Sequence, residues 1–375
     1  MSKKSQNGQK KLITKIISWI CILGLAFGIG LSQVGVDELN EQGISIVFKK
    51  SMEVLEEMMS ESGSLSVDSS THSNNSRTSN STYSSADSSN GSNSSSINTS
   101  GKVASTVVRK HEGIEGINPG LNIYSFYVGQ ADCTLIECGG EYLLIDAGNN
   151  PDGKLIVSHL KSMGIKNIKY FVVTHTHEDH AGGGDDVINN IKVKTLYIPD
   201  VPKENCDTAT YKGVKQAASD NGLKLTEPKV GHKFKLGDAT CEVMAIESDN
   251  KDMNHTSIVI EMTYGNHKFL FMGDAEIYNE EQRLWNDVDV LKLGHHGSST
   301  STGEDFLAQT MPEIGLISCG VDNEYGHPHD EVMDAMNEYN VEIYRTDIEG
   351  TIHLVSDGIK IGVETLSDII LDGNK

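Results

Sequence analysis

The 375-residue chain carries a formal net charge of -22, yet its first 117 residues balance 11 Lys/Arg against 11 Asp/Glu, so the whole excess follows Ile117. A field of that sign repels polyanions over roughly 8 Å at physiological salt, which argues against generic nucleic-acid binding unless a local basic groove or a bound metal overrides it. The six cysteines, Cys21, Cys133, Cys138, Cys206, Cys241 and Cys319, fall at no zinc-ribbon spacing and give no disulfide framework.

In chain order, Lys3, Lys4, Lys10, Lys11 and Lys15 precede an uncharged apolar stretch, Ile16 to Val36, closed at once by Asp37, Glu38 and Glu41. Its length suffices for a bilayer core, which needs about 20 residues, and the lysines should stay cytoplasmic. The expectation is therefore a membrane anchor over 1–36, with the remainder extracellular. A cleaved signal peptide, and so a secreted protein, is the alternative, although no small-x-small cleavage site follows. Residues 44–59 suit a short amphipathic helix near the membrane or one that merely frays into a linker. From Ser60 to Ser100, 19 residues are serine and almost none is large and apolar. Burial there cannot offset ordering entropy, so a disordered tether is expected, and 37–117 reads as a juxtamembrane helix followed by a disordered Ser/Asn-rich linker.

Residues 118–375 change texture to short β-branched runs separated by Gly, Asn and Asp. Strands are predicted at LNIYSFYV, CTLIEC, YLLIDAG, YFVVTH, TLYIP, CEVMAI, SIVIEMTY, KFLFMGD, VLKLGHH, IGLIS, EIYRT and TIHLV. Helices are predicted over 153–163, 185–190, 210–221, 279–285, 303–309 and 329–339. The alternation suggests an α/β (α+β) domain of two face-to-face sheets with helices outside. Cys133 and Cys138 flank one of these strands, as a bridge or as two buried thiols.

The stretch YFVVTHTHEDHAGGG runs a hydrophobic strand into a loop crowded with ligands and then glycines. His175 and His177, two apart, can aim imidazoles at one metal, while Asp179 and His180 turn towards a second. Three imidazoles and a carboxylate this close need something to satisfy them. Nitrogen and oxygen donors without cysteine suit Zn²⁺, with Mn²⁺ as the alternative.

HxHxDH after a hydrophobic strand resembles the signature of the metallo-β-lactamase superfamily, which implies a four-layer αββα sandwich and two divalent metal ions. By that resemblance Asp146 in LLIDAG orients the histidine loop as an outer-sphere carboxylate, Asp274 in FLFMGDAE bridges the metals, and LGHHGS supplies a late histidine ligand. His295 is preferred over His296 there for its distance from the strand end. VGQADC, NHTSIVIEM, LKLGHHGSSTST, NEYGHPHDEV and RTDIEGTIHL together resemble the hydrolase domain of ComEC-type DNA-uptake competence proteins across nearly all of Leu121 to Gly362. This chain departs from them in having one predicted span, no channel and a strongly acidic domain.

Many relatives in the superfamily place a further histidine on the first metal. His232 and His255 are the candidates, whereas the ComEC-like pattern has Asn-x-x-Ser here, matched by Asn254 and Ser257. By the same resemblance the His327-Pro328-His329 loop lies over the cleft, with His327 favoured over His329 for contacting substrate or donating a proton, against a helix-capping role for the loop. Arg345 reads as a hairpin residue or a phosphate contact. The expected activity is a two-metal hydrolase that activates a water, with Asp179 orienting it, on a phosphodiester in DNA or another polymer. Hydrolysis of a phosphocholine ester, lactone or amide is the alternative, or a non-catalytic binding module on the same scaffold. No protein partner is evident.

Overall fold

The computed structural model describes residues 110–202, 208–248 and 250–374. The chain divides into two units, 1–98 and 99–375, and every described residue belongs to the second. The expected anchor at 16–36, amphipathic helix at 44–59 and serine-rich linker at 60–100 lie outside the described residues. Among the described residues no helix is long and apolar enough to cross a membrane.

One sheet comprises β1 (Leu121–Ser125), β2 (Thr134–Cys138), β3 (Glu141–Ile145), β4 (Asn167–Val172), β5 (Lys192–Tyr197), β6 (Leu225–Thr226), β14 (Thr351–Ser356) and β15 (Ile361–Leu366), in the order β15-β14-β1-β2-β3-β4-β5-β6. The other comprises β7 (Lys233–Leu236), β8 (Ala239–Ala245), β9 (Val259–Tyr264), β10 (His267–Phe271), β11 (Val290–Lys292), β12 (Ile314–Ile317) and β13 (Glu342–Arg345), in the order β13-β12-β11-β10-β9-β8-β7. The helices are α1 (Gly153–Ser162), α2 (Glu178–Ala181), α3 (Gly184–Asn190), α4 (Ala209–Asp220), α5 (Ile277–Glu281), α6 (Glu304–Thr310), α7 (Asp330–Glu338) and α8 (Thr346–Glu349).

Three buried clusters define the layers. Ile123, Ile136, Leu143 and Val172 of the first sheet pack with Val243, Met262, Phe269 and Tyr344 of the second, so the central core lies between the sheets. Ile156 and Leu160 of α1, Val187 of α3 and Val214 of α4 cover the outer face of the first sheet, joined by Leu135 and Phe171. Phe306 and Leu307 of α6 and Val332 and Met336 of α7 cover the second with Leu270 and Leu291. This is a mixed α/β sandwich with helices outside two sheets. Alternation along β8 buries Ala239, Cys241 and Val243 against the central core, and a register shift after Val243 puts Ala245 in the outer cluster.

Parallel pairing brings the ends of several strands to one edge of the sandwich. β3 and β4 are parallel in the first sheet, and β10, β11 and β12 are parallel in the second. The loops after β3, β4, β10 and β11 carry Asp146, the THTHEDH segment, Asp274 and the paired histidines, so carboxyl ends of strands from both sheets supply one site. Cys133, Cys138, Cys241 and Cys319 are buried free thiols, so the Cys133–Cys138 bridge is not formed.

Candidate metal centre

β4 ends at Val172, and the chain bends through 175–177 before α2 begins with His177, in extended backbone, at its N-cap. The glycines after the motif permit a close approach. A Cβ on Gly182 would stand 2.2 Å from the Asn149 carbonyl carbon, and one on Gly183 would stand 2.4 Å from the Ala147 oxygen. That contact presses α2 against the loop after β3 and brings His180 onto Asp146. His180 is fully buried, and its Nδ1 lies 2.8 Å from Asp146 Oδ2. Thr174 donates to the same carboxyl twice, from its backbone N to Oδ1 and from Oγ1 to Oδ2, each at 2.7 Å. A carboxylate there requires hydrogen on His180 Nδ1 and leaves Nε2 as the free donor atom.

Two groups of ligand atoms share Asp274. Asp179, His180, Asp274 and His296 form one, and His175, His177 and Asp274 the other. Asp274 Oδ1 lies 3.1 Å from His180 Nε2 and 3.7 Å from His296 Nε2, while Oδ2 lies 3.7 Å from His175 Nε2. Asp179 Oδ2 completes the first group at 3.3 Å from His296 Nε2. Gly273 allows this closeness: its φ is +56°, and a Cβ there would meet Thr174 Cβ at 2.9 Å.

Of the two consecutive histidines, the structure brings His296 into the four-residue group. Its Nδ1 donates to the Ser318 carbonyl at 3.0 Å, which directs Nε2 at the carboxylates. His295 stands at the margin, Nε2 at 3.8 Å from Asp274 Oδ2 and Nδ1 at 3.1 Å from Glu276 Oε1. Both have positive φ, 48° and 54°, in a tight turn, so distance from the strand end does not order them. Such backbone costs about 1–3 kcal/mol per residue and is retained where surroundings enforce it.

The buried His180 Nε2, Asp274 Oδ1 and His296 Nε2 have no hydrogen-bond partner. Leaving such atoms unpaired costs about 1–3 kcal/mol each. Two imidazole nitrogens and a carboxylate oxygen converging without partners, with the Asp179 carboxylate beside them, fit a divalent cation, and an N/O donor set suits Zn²⁺ or Mn²⁺. Electrostatics agree. Burial alone would depress His180, but Asp274, Asp179 and Asp146 outweigh it and hold its pKa well above the ordinary value. Burial and the His180 charge push His175 well below. Burial opposes ionisation of Asp274, but His180 and His296 overcome it and hold that carboxyl well below the usual range.

His255 turns away from both groups. Its Nε2 lies 3.0 Å from Glu276 Oε2, and its ring stacks on Tyr278. Asn254 and Ser257 face inward instead: Asn254 lines the cavity, and Ser257 Oγ accepts from Asp274 N at 3.1 Å. His232 bonds the Tyr197 hydroxyl at 2.9 Å, and Arg345 is held by both carboxylate oxygens of Asp347. A cavity of about 590 Å³ opens over the groups and is lined by His177, Asp179, Asp274, His295, His296 and His327. Burial, with the His296 and His295 charges, depresses His327 to about 4. His329 lies aside at the N-cap of α7, accepting from Ser299 N at 2.9 Å.

Sequence reasoning missed three supporting residues. Glu276, two positions after Asp274, accepts from Asn254 Nδ2 and Thr300 Oγ1 and meets His255 and His295, which bring its pKa down to about 2 against burial. Lys292, 3% exposed at the end of β11, lies 2.9 and 3.0 Å from the two carboxylate oxygens of Asp132. Gln130 stands beside His327. VGQADC and FMGDAE signalled two of these positions, since polar residues within otherwise apolar strand-end motifs need partners.

Two facing sheets whose strand ends converge on histidines and carboxylates define an α/β sandwich with a candidate metal centre between them. The chain belongs to the metallo-β-lactamase superfamily, whose family model matches residues 126–321. It is 35% identical over 205 residues to ComE operon protein 3 of Bacillus subtilis (strain 168), covering 53% of this chain and 26% of that one. It is 29% identical to Recombination protein 2 of Haemophilus influenzae, covering 63% and 29%, and 27% identical to Competence protein ComA of Neisseria gonorrhoeae, covering 60% and 30%. The similarity is to ComEC-type proteins, and the chain spans less than a third of the length of these relatives.

Proposed function

We propose that the chain is a membrane-tethered extracellular hydrolase that cleaves phosphodiester bonds with two divalent metal ions, Zn²⁺ or Mn²⁺. The observation that carries this reading is the pair of ligand groups sharing Asp274 at the cavity floor, with buried nitrogen and oxygen atoms left unpartnered. His175, His177 and Asp274 would hold one ion, with Asp179, His180, Asp274 and His296 holding the other. Bound there, the ions supply Lewis acidity, which activates water and neutralises charge developing on a phosphoryl oxygen. Asp179, partly exposed at the cavity, orients the attacking water, and Asp146 keeps His180 in its ligating form. His327 contacts substrate from the rim. The competence and recombination names of the relatives favour a nucleic acid as substrate.

A second reading has its own observation. Glu178, Glu324 and Asp372 also line the cavity, and among the described residues no Lys or Arg does. That rim disfavours a long polyanion and favours a small diester, a phosphocholine ester or a lactone. The test is turnover by the purified full chain, with Zn²⁺ or Mn²⁺, on single-stranded DNA, an aryl phosphodiester and a lactone. The diester is expected to be cleaved, and Asp179→Ala to abolish cleavage. DNA left intact beside a cleaved small diester supports the second reading. Diester turnover unchanged in Asp179→Ala overturns the assignment of this site.

A further inference from the structure

Gln130, from the VGQADC segment, has no part in either ligand group, yet it sets the chemistry of a cavity residue. Its Oε1 accepts from Gly320 N at 3.0 Å, and its Nε2 lies 3.3 Å from His327 Nδ1. A backbone N–H can only donate, so the amide orientation is fixed: oxygen towards Gly320, NH₂ towards the imidazole. An NH₂ group can only donate as well. His327 Nδ1 must therefore accept, and a neutral ring carries its hydrogen on Nε2.

The ring is held for this contact. Asn323 Nδ2 donates to the His327 carbonyl at 2.7 Å, and His327 N donates to Asn323 Oδ1 at 2.9 Å, which clamps the backbone. Tyr325 stacks on one side of the imidazole and His295 meets it edge-on. With Nδ1 occupied by Gln130, Nε2–H is the group left for whatever enters the cavity that His327 lines.

We infer that Gln130 is a positioning residue that locks His327 as an Nε2–H hydrogen-bond donor to an anionic oxygen of the bound substrate. The inference rests on the proposed hydrolytic reading for its substrate but not for its tautomer. It narrows the role of His327: in this form the ring donates a hydrogen bond and holds no lone pair on Nε2 with which to accept a proton.

The variant that reverses the lock is Gln130→Glu. Its carboxylate still accepts from Gly320 N but presents an acceptor to Nδ1, drawing the imidazole hydrogen there. Gln130→Met keeps the bulk and removes both bonds. Histidine ¹⁵N spectra of the Zn²⁺-loaded full chain, with His327→Gln to assign the signal, read the tautomer directly. Inorganic phosphate, titrated in the same samples, probes the donor. The native ring is expected to show protonated Nε2 and bare Nδ1, Gln130→Glu to protonate Nδ1, and phosphate to bind about tenfold more weakly to Gln130→Glu, with Gln130→Met intermediate. A native ring protonated on Nδ1, an unchanged tautomer in Gln130→Glu, or equal phosphate affinity in folded native and Gln130→Glu protein overturns the inference. None of these readouts requires turnover, so failure of the hydrolase reading is separately visible.

Discussion

Replacing Asp146 with Asn tests whether the group of Asp179, His180, Asp274 and His296 depends on a carboxylate outside it. Asp146 is 1% exposed and takes three hydrogen bonds, from Thr174 N, from Thr174 Oγ1 and from His180 Nδ1, at 2.7, 2.7 and 2.8 Å. The amide can keep its oxygen on Thr174 N, but its NH₂ then faces the donors on Thr174 Oγ1 and His180 Nδ1. The imidazole relieves that conflict by moving its hydrogen to Nε2, the atom 3.1 Å from Asp274 Oδ1, and so loses its lone pair for a cation. Removing such an outer-sphere partner weakens metal binding about 10–100-fold. That corresponds to about 1.4–2.8 kcal/mol. Equilibrium dialysis of native and Asp146→Asn full chain against graded Zn²⁺ should show one of two tight sites weakened by that factor. Two unchanged dissociation constants would refute the reasoning, as would loss confined to the His175–His177 group.

His296→Ala should lose one of two bound ions at a Zn²⁺ concentration where His295→Ala keeps both, measured by elemental analysis after gel filtration. Lys292→Met strands the buried Asp132 carboxylate and should destabilise by about 3–5 kcal/mol, read by urea denaturation, with Asp132→Asn in the same chain recovering part of the loss. Glu280, 4% exposed, is pushed up to about 7 by burial, against hydrogen bonds from Gly303 and Thr302. Between its ordinary value of 4.5 and about 7 the folded chain holds a proton that the unfolded chain has released. Stability therefore falls as pH rises through that window, by roughly 3 kcal/mol at about 1.4 kcal/mol per pH unit. Glu280→Gln should remove this fall, so its stability difference from native, measured at pH 4.5 and pH 8, should change by about that amount; a constant difference would refute it.

The hydrophobic run into THTHEDH and the apolar strands ending in Asp146 and Asp274 were legible because strand period and ligand crowding are local properties. What sequence could not order was the outcome of tight turns. His295 and His296 both occupy left-handed backbone, where one position of chain turns a side chain to another side. His255 fills the sequence position of a further ligand, but the short turn over Asn254–Thr256 sends it to Glu276 and brings Asn254 to the cavity. β15 was missed because IGVETL at a sheet edge buries only Gly362 and Val363, and β7 because KFKL is too short to establish a period. The Asp132–Lys292 pair joins positions 160 apart, a separation at which single-chain patterns carry no signal.

Asp274 gives one oxygen to each ligand group, and that division makes the two halves of the site a linked pair. If each group held a cation, an ion against Oδ1 would weaken the attraction Oδ2 could offer its neighbour, and the two like charges would repel across a few ångströms. The first ion would also discharge the carboxylates that hold a proton on His180 and so remove competition for the remaining donors. Which influence prevailed would set whether ions bound together or in sequence. A half-filled protein would then be a distinct species rather than an average of empty and full.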